Sequence, residues 1–184
     1  AGHFLRITGQ QDGRNFCFHS KLTPVGATHG TEPYQSLLPL EQAVQVWLDQ
    51  PIGELAYPIS PEGKLDAALY GSQVAALFNQ VQLAETGADF SCTSLGNDPV
   101  GLASPVTMRG VTAAYLFANT LVVLEVTEEV LRQTLERCAA YFTLVDGQPQ
   151  ISEEFLLPKV EHYNYDFYAG LAYTFDLRRP VGSR

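Results

Sequence analysis

Positive charge is scarce in this chain: 11 Lys and Arg stand against 20 Asp and Glu in 184 residues, a formal net charge of −9. Proteins that bind nucleic-acid polymers neutralise backbone phosphates with clustered Lys and Arg, so the balance argues against that partner. A small nucleotide needs only local charge and stays open. Long apolar runs are also absent. Nothing approaches the roughly 18 residues of a membrane-spanning helix, and the first residues lack the charged-then-apolar order of a signal peptide. Cysteine is limited to Cys17, Cys92 and Cys138. Odd in number and widely spaced, they make neither a disulfide framework nor a metal knuckle. Their apolar or strand-like surroundings predict three buried thiols. His3, His19, His29 and His162 show no His-x-His or His-Glu-x-x-His spacing, so no metal site is expected in this stretch.

What is present is 46% hydrophobic residues, enough to bury a core, in a length that favours one domain with an appendage. Weak alternation over His3 to Thr8 and Asn15 to Leu22, around the turn signal Gln11-Asp12-Gly13-Arg14, predicts a hairpin with too few apolar residues to stand alone. Thr23 to Thr31 reads as a loop. Leu37, Leu40, Val44, Trp47 and Leu48 fall at helical spacing within Tyr34 to Asp49, with Pro33 in the first turn and Pro51 and Gly53 as stops. Leu65 to Ala84 is apolar nearly all round and predicts one buried helix that tolerates Gly71. Gly87 ends it. Ala88 to Leu95 then predicts a short strand, followed by the turn cluster Gly96-Asn97-Asp98-Pro99. Such carboxyl ends of strands commonly border ligands in α/β folds. Further on, Thr127 is a helix N-cap with Glu128 and Glu129 in the first turn, and Asp146-Gly147 is a turn. Tyr163 to Phe167 and Leu171 to Leu177 predict two alternating strands around Gly170.

The most informative stretch runs from Thr107 to Val126. Val111, Ala114 and Tyr115 have helical spacing, Leu121 to Val126 suits a strand buried on both faces, and Phe117-Ala118-Asn119 is the turn between. An aromatic face and a side-chain amide separated by a small residue suit a flat heterocycle, which takes stacking plus hydrogen bonds at its edge. Phe117 as ordinary core packing is the competing reading.

Tyr115-Leu116-Phe117-Ala118-Asn119-Thr120-Leu121-Val122-Val123, followed by Glu125-Val126-Thr127, resembles a motif of the 5′-nucleotidase C-terminal domain family, in particular its 2′,3′-cyclic-nucleotide 2′-phosphodiesterase/3′-nucleotidase branch. His162-Tyr163-Asn164-Tyr165-Asp166-Phe167, then Gly170, Tyr173, Asp176, Pro180, Gly182 and Arg184, is similar to a later motif of that family. Thr86-Gly87-Ala88-Asp89-Phe90-Ser91 resembles its helix-to-strand step before the substrate loop. The matches keep their order from about Gln50 to Arg184.

The resemblance implies an α+β domain, a mixed β-sheet with packed helices, that continues past Arg184 into further strands and helices. It divides the chain into residues 1–30, the terminal hairpin and linker of an upstream catalytic domain; 31–53, an interdomain helix; and 54–184, the nucleotide-binding domain. It implies the substrate-binding part of a metal-dependent nucleotide phosphohydrolase, a 2′,3′-cyclic-nucleotide 2′-phosphodiesterase/3′-nucleotidase or a 5′-nucleotidase. The dinuclear divalent-metal site then lies on the upstream metallophosphoesterase domain, with no catalytic residue or cofactor in this stretch. An address outside the cytoplasm, in periplasm, cell wall or medium, follows from the same resemblance. The base would stack on Phe117 with Asn119 at its edge, and the opposing aromatic would come from beyond Arg184. At Gly96 to Pro99 the chain departs from the wider family, which carries an Asn-Gly-Gly-x-Ile-Arg run there. Thr93, Ser94 and Asp98 stand in that region without an arginine, which leaves Thr93 and Asp98 as candidate substrate contacts and favours the cyclic-phosphodiesterase branch. The alternative is a non-catalytic nucleotide- or protein-binding module that keeps the fold.

Overall fold

The structure, a computed structural model, describes residues 2–26 and 31–184, the side chains of residues 31–33 excepted. Of the loop expected from Thr23 to Thr31, Thr23 and Pro24 end a strand and Thr31 opens a helix, while residues 27–30 lie outside the described residues. Two compact units are present, residues 1–45 and 46–184.

In the first unit, β1 (His3–Asp12) and β2 (Asn15–Pro24) form an antiparallel hairpin in register from His3↔Pro24 to Asp12↔Asn15. It is longer than the sequence alternation marks. The period of two gathers Leu5, Ile7, Phe16, Phe18 and Leu22 on one face, and all five are exposed. Cys17, expected to be buried, is exposed on the other face. The helix α1 (Thr31–Leu48) places Pro33 in its first turn, where a missing N–H does no harm. Its stripe of Leu37, Leu40, Val44 and Trp47 is exposed as well.

The second unit opens with β3 (Pro51–Gly53), so Pro51 and Gly53 form a short strand besides ending α1. The single helix expected over Leu65 to Ala84 is two, α2 (Lys64–Tyr70) and α3 (Gln73–Thr86). Gly71 breaks it at φ 97, a conformation that side chains disfavour, and Ser72 caps α3 by accepting from the Ala75 N–H at 3.4 Å. An apolar pattern on every face cannot show where one helix stops and the next begins. Gly87, at φ 67, ends α3 as expected.

The chain then enters β4 (Ser91–Ser94), which pairs with the distant β8 (Asp166–Ala169) in register Ser91↔Ala169 to Ser94↔Asp166. Asn79, 1% exposed, ties α3 to both strands. Its Nδ2 donates to the Phe167 carbonyl at 2.8 Å and its Oδ1 accepts from Ser91 Oγ at 2.7 Å, so a buried amide is satisfied on both sides. β5 (Val106–Thr107) pairs with β3 and leads into α4 (Met108–Ala114), capped by Thr107, whose hydroxyl accepts from Gly110 N–H at 3.1 Å.

The helix α5 (Glu128–Ala139) begins as its sequence specifies, with Thr127 accepting from the Val130 N–H and two glutamates in the first turn. A hairpin follows, β6 (Phe142–Val145) and β7 (Gln148–Ile151), turned by Asp146 at φ 51 and Gly147 at φ 77. The core gathers at this corner: Cys138, Tyr141, Phe142, Phe155 and Tyr165. The Tyr165 ring lies 4.8 Å from Tyr141, 5.7 Å from Phe142 and 5.0 Å from Phe167, in the tilted and edge-to-face arrangements that ring quadrupoles favour. Its hydroxyl donates to the Ala68 carbonyl at 3.1 Å, fastening α2 to the core.

Four expectations are corrected here. Leu121 to Val126 is not a strand: it has no ladder partner among the described residues, and Leu121, Val122, Val123 and Leu124 are 48–73% exposed. Its β-branched composition records a demand for neighbours, which the described residues do not meet. Leu171 to Leu177 is likewise outside any strand, and β8 is flanked by a short 3-10 helix, His162–Asn164. Of the three thiols only Cys138 is buried; side chains alternate along β4, and Cys92 points away from the face on which Thr93 is buried. The α+β class stands, with the described strands in four two-stranded antiparallel ladders instead of one mixed sheet.

Candidate functional site

Phe117 and Asn119 follow directly on α4, and the helix is fixed at both ends. Near its start, Arg109 Nε meets Asp49 Oδ1 at 2.7 Å, a pairing that holds the Asp49 carboxyl below the usual carboxylate range. At its end, the Tyr115 N–H donates to the Val111 carbonyl at 2.9 Å, and the Tyr115 ring packs edge-on against Phe78 of α3, centroids 5.2 Å apart. The chain then makes a three-residue turn in which the Asn119 N–H donates to the Phe117 carbonyl at 2.8 Å. Phe117 is 68% exposed and Asn119 is exposed too. The ring is therefore not part of the core. It stands on an anchored turn with an amide two residues on.

Thr93 and Asp98 lie on β4 and the turn after it. Thr93 is 8% exposed, stands opposite Phe167 in the ladder, and donates from its hydroxyl to the Ser94 carbonyl at 3.4 Å. That placement gives it a packing role and no open face. Asp98 is exposed and lies within electrostatic reach of Lys64 and His162. Lys64 Nζ donates to the Gly96 carbonyl at 3.3 Å. Burial lowers the Lys64 pKa, with Asp98 opposing; burial and then the Lys64 charge lower that of His162. His162 Nδ1 is 2.7 Å from the hydroxyl of the buried Tyr141.

Asn97 joins these pieces. Its Nδ2 donates to the Val160 carbonyl at 2.9 Å, and its Oδ1 accepts from the His162 N–H at 3.0 Å. Lys64, Asn97, Tyr141 and His162 were not among the residues the sequence singled out for the site. Asn97 had been visible only as part of a turn cluster, and its partner is 65 residues away.

Among the described residues, two concavities of this unit bear on these groups. One, of about 490 Å³, is walled by Ala67, Asn79, Tyr165, Phe167, Tyr173 and Phe175 among others. The other, of about 20 Å³, has Lys64, Leu95, Tyr141 and His162 in its wall and is the size of one water. Thr93, Asp98, Phe117 and Asn119 line neither. The structure thus groups Asp98 with Lys64 and His162, and Phe117 with Asn119. Among the described residues no three His, Cys, Asp or Glu side chains converge as a metal site requires, so none is assigned to a metal.

The sequence model of the family described as 5′-nucleotidase, C-terminal domain matches residues 53–184. This chain belongs to that family. The chain is 27% identical over 168 residues to a 2′,3′-cyclic-nucleotide 2′-phosphodiesterase/3′-nucleotidase of Haemophilus influenzae, covering 79% of this chain and 25% of the relative. It also matches the 2.05 Å crystal structure of a Staphylococcus aureus protein described as a 5′-nucleotidase, in complex with alpha-ketoglutarate. That match has a TM-score of 0.75 and 32% identity, and covers 97% of this chain and 35% of the other. The chain thus spans about a quarter to a third of these relatives.

Proposed function

We propose that this 5′-nucleotidase C-terminal domain binds the nucleoside part of a nucleotide whose phosphoester is hydrolysed, in a protein of the 2′,3′-cyclic-nucleotide 2′-phosphodiesterase/3′-nucleotidase kind. The observation that carries it is Phe117: a ring 68% exposed, on a turn anchored through Tyr115 and Phe78, with Asn119 close by. A base stacks on such a face and is oriented by an amide at its edge. The names of the relatives support the substrate class.

Hydrolysis and its divalent metal ions belong, in this reading, to an upstream metallophosphoesterase domain, and the protein works outside the cytoplasm. Residues 1–30 are the terminal hairpin and linker of that domain, and residues 31–53 the helix between domains. The exposed apolar face of β1 and β2, with Leu5, Ile7, Phe16, Phe18 and Leu22, supports a neighbour there.

The test is Phe117→Ala in the full-length protein. Base–aromatic stacking contributes roughly 1–3 kcal/mol, so KM for a nucleotide should rise about fivefold to about a hundredfold. Thermal stability should hold, because an exposed ring leaves no cavity. An unchanged KM would remove Phe117 from the site. A full-length protein that hydrolyses no nucleotide would instead return the domain to a binding module.

A further inference from the structure

Tyr141 is sealed in the aromatic core. It is 2% exposed, and the rings of Phe142, Phe155 and Tyr165 surround its own with centroids 4.8–5.5 Å away. Those rings offer its hydroxyl no lone pair of an oxygen or nitrogen. Among the described residues the hydrogen-bond partner of that hydroxyl is His162 Nδ1, at 2.7 Å. Burial pushes the phenol up to about 12, so it keeps its proton through neutral and acid pH. A buried O–H without an acceptor is costly, so the hydroxyl donates and Nδ1 accepts. The ring proton of neutral His162 then sits on Nε2.

We propose that this contact is a proton-operated latch: it holds the 3-10 segment His162–Asn164 against the core while the His162 ring is neutral, and protonation of Nδ1 undoes it. An imidazolium has N–H donors at both nitrogens and no lone pair to accept with. The Tyr141 oxygen can turn to accept from Nδ1–H, but its own proton is then left without an acceptor inside the core. The groups that face the ring come from several elements. Burial and then Lys64 of α2 resist protonation, and Asp98 in the turn after β4 favours it. Glu62 and Tyr165 share the small concavity with His162, and the neighbouring Glu161 carboxylate accepts from Asn164 Nδ2 at 2.9 Å. The backbone of the latched segment carries its own reporters: the Glu161 N–H donates to the Phe155 carbonyl at 2.9 Å and the Tyr165 N–H to the His162 carbonyl at 3.1 Å. The latch does not depend on what the domain binds.

Two measurements on the full-length protein test it. In protein carrying isotope-labelled histidine, the ring nitrogen shifts of His162, assigned by comparison with His162→Asn, should show a bare Nδ1 and a protonated Nε2 at about pH 7.5. Amide hydrogen exchange then follows residues 161–165, with α3 as internal reference. Protection factors at 161–165 should fall at least about fivefold between about pH 7.5 and pH 5, while those of α3 hold within about twofold. Tyr141→Phe has no hydroxyl to orphan and should lose that pH dependence. His162→Asn offers an acceptor near the place of Nδ1, cannot be charged, and should lose it too. A protonated Nδ1 at neutral pH, unchanged protection at 161–165 on acidification, an equal fall in α3, or the same local fall in either variant would each overturn the latch. Should Tyr141→Phe fail to fold, His162→Asn decides by the same criterion.

Discussion

The guanidinium of Arg184 closes the C-terminal end of α5: its Nη1 donates to the carbonyls of Ala139 and Phe142, at 2.6 Å each. Carbonyls at the end of a helix lack intrahelical partners, and a positive charge there also meets the negative end of the helix dipole. The Arg184 backbone N–H adds a bond to Glu136 Oε2 at 3.2 Å. Arg184→Ala should lower stability by about 1–3 kcal/mol, since hydrogen bonds from a charged group exceed neutral ones. Arg184→Lys should recover less than half, because one ammonium cannot reach these two carbonyls and also that of Arg179, to which Arg184 Nε donates at 3.1 Å. Thermal melts of the two variants check this; equal stability of lysine and arginine would reduce the contact to charge alone.

Asp166 is set against its surroundings. Burial raises its pKa, and the nearby charge of Arg137 only partly opposes this. The Arg137 guanidinium sits 4.5 Å over the Phe155 ring. A carboxyl whose pKa is raised by folding contributes stability below the unfolded value of about 3.9, and that contribution is lost as pH rises through the folded value. At pH 7 the ionised carboxylate is a cost. Asp166→Asn should therefore raise the melting temperature at pH 7, with the advantage shrinking toward pH 4. A lower melting temperature at pH 7 would show that the attraction to Arg137 outweighs burial.

His162 has the opposite dependence. Burial, then the charge of Lys64, lowers its pKa, with Asp98 opposing. A base held below its unfolded value of about 6.5 contributes its stability above that value and loses it as pH falls through the folded value. Melting temperature should fall between about pH 7.5 and pH 5, and His162→Gln should flatten that slope. An identical slope in the variant would assign the acid loss to other groups.

Features set by local chemistry were legible in the sequence. The Thr127 cap with its two glutamates, the Asp146-Gly147 turn and Gly87 each specify their backbone within a few residues, and each appears as read. The break at Gly71 was hidden because apolar residues on every face carry no phase. Leu121 to Val126 reads as a strand because composition states what a segment would pack against, whereas pairing depends on which chain is nearby. The same limit applies to the candidate site. Phe117 and Asn119 were named from type and spacing, but the exposure of the ring depends on how α4 is anchored by Phe78. Thr93 looked like a ligand contact by position and is buried, since strand alternation alone does not say which face of the strand is covered.

Gly170 closes the β4 and β8 ladder, and two separate constraints meet there. Its φ is +87, where a Cβ crowds the backbone, and an added Cβ would stand 2.8 Å from the Cα of Phe90 and against the carbonyl of Asp89. Neither neighbour is the tip of a flexible side chain, so neither can swing away. Gly147, in the β6 and β7 turn, offers the comparison: φ +77 and open space where its Cβ would go. Gly147→Ala should cost about 1–2 kcal/mol from backbone conformation alone. Gly170→Ala adds an overpacking cost of about 1–3 kcal/mol, for about 2–5 kcal/mol in all. The damage should be local as well. Ser91 pairs with Ala169 next to the glycine, so amide exchange should rise first at that end of the ladder. Thermal melts of both variants with exchange over residues 89–94 make the measurement. Equal losses in the two variants would mean that the backbone of Asp89 and Phe90 does not confine position 170, and that its glycine is required by conformation only.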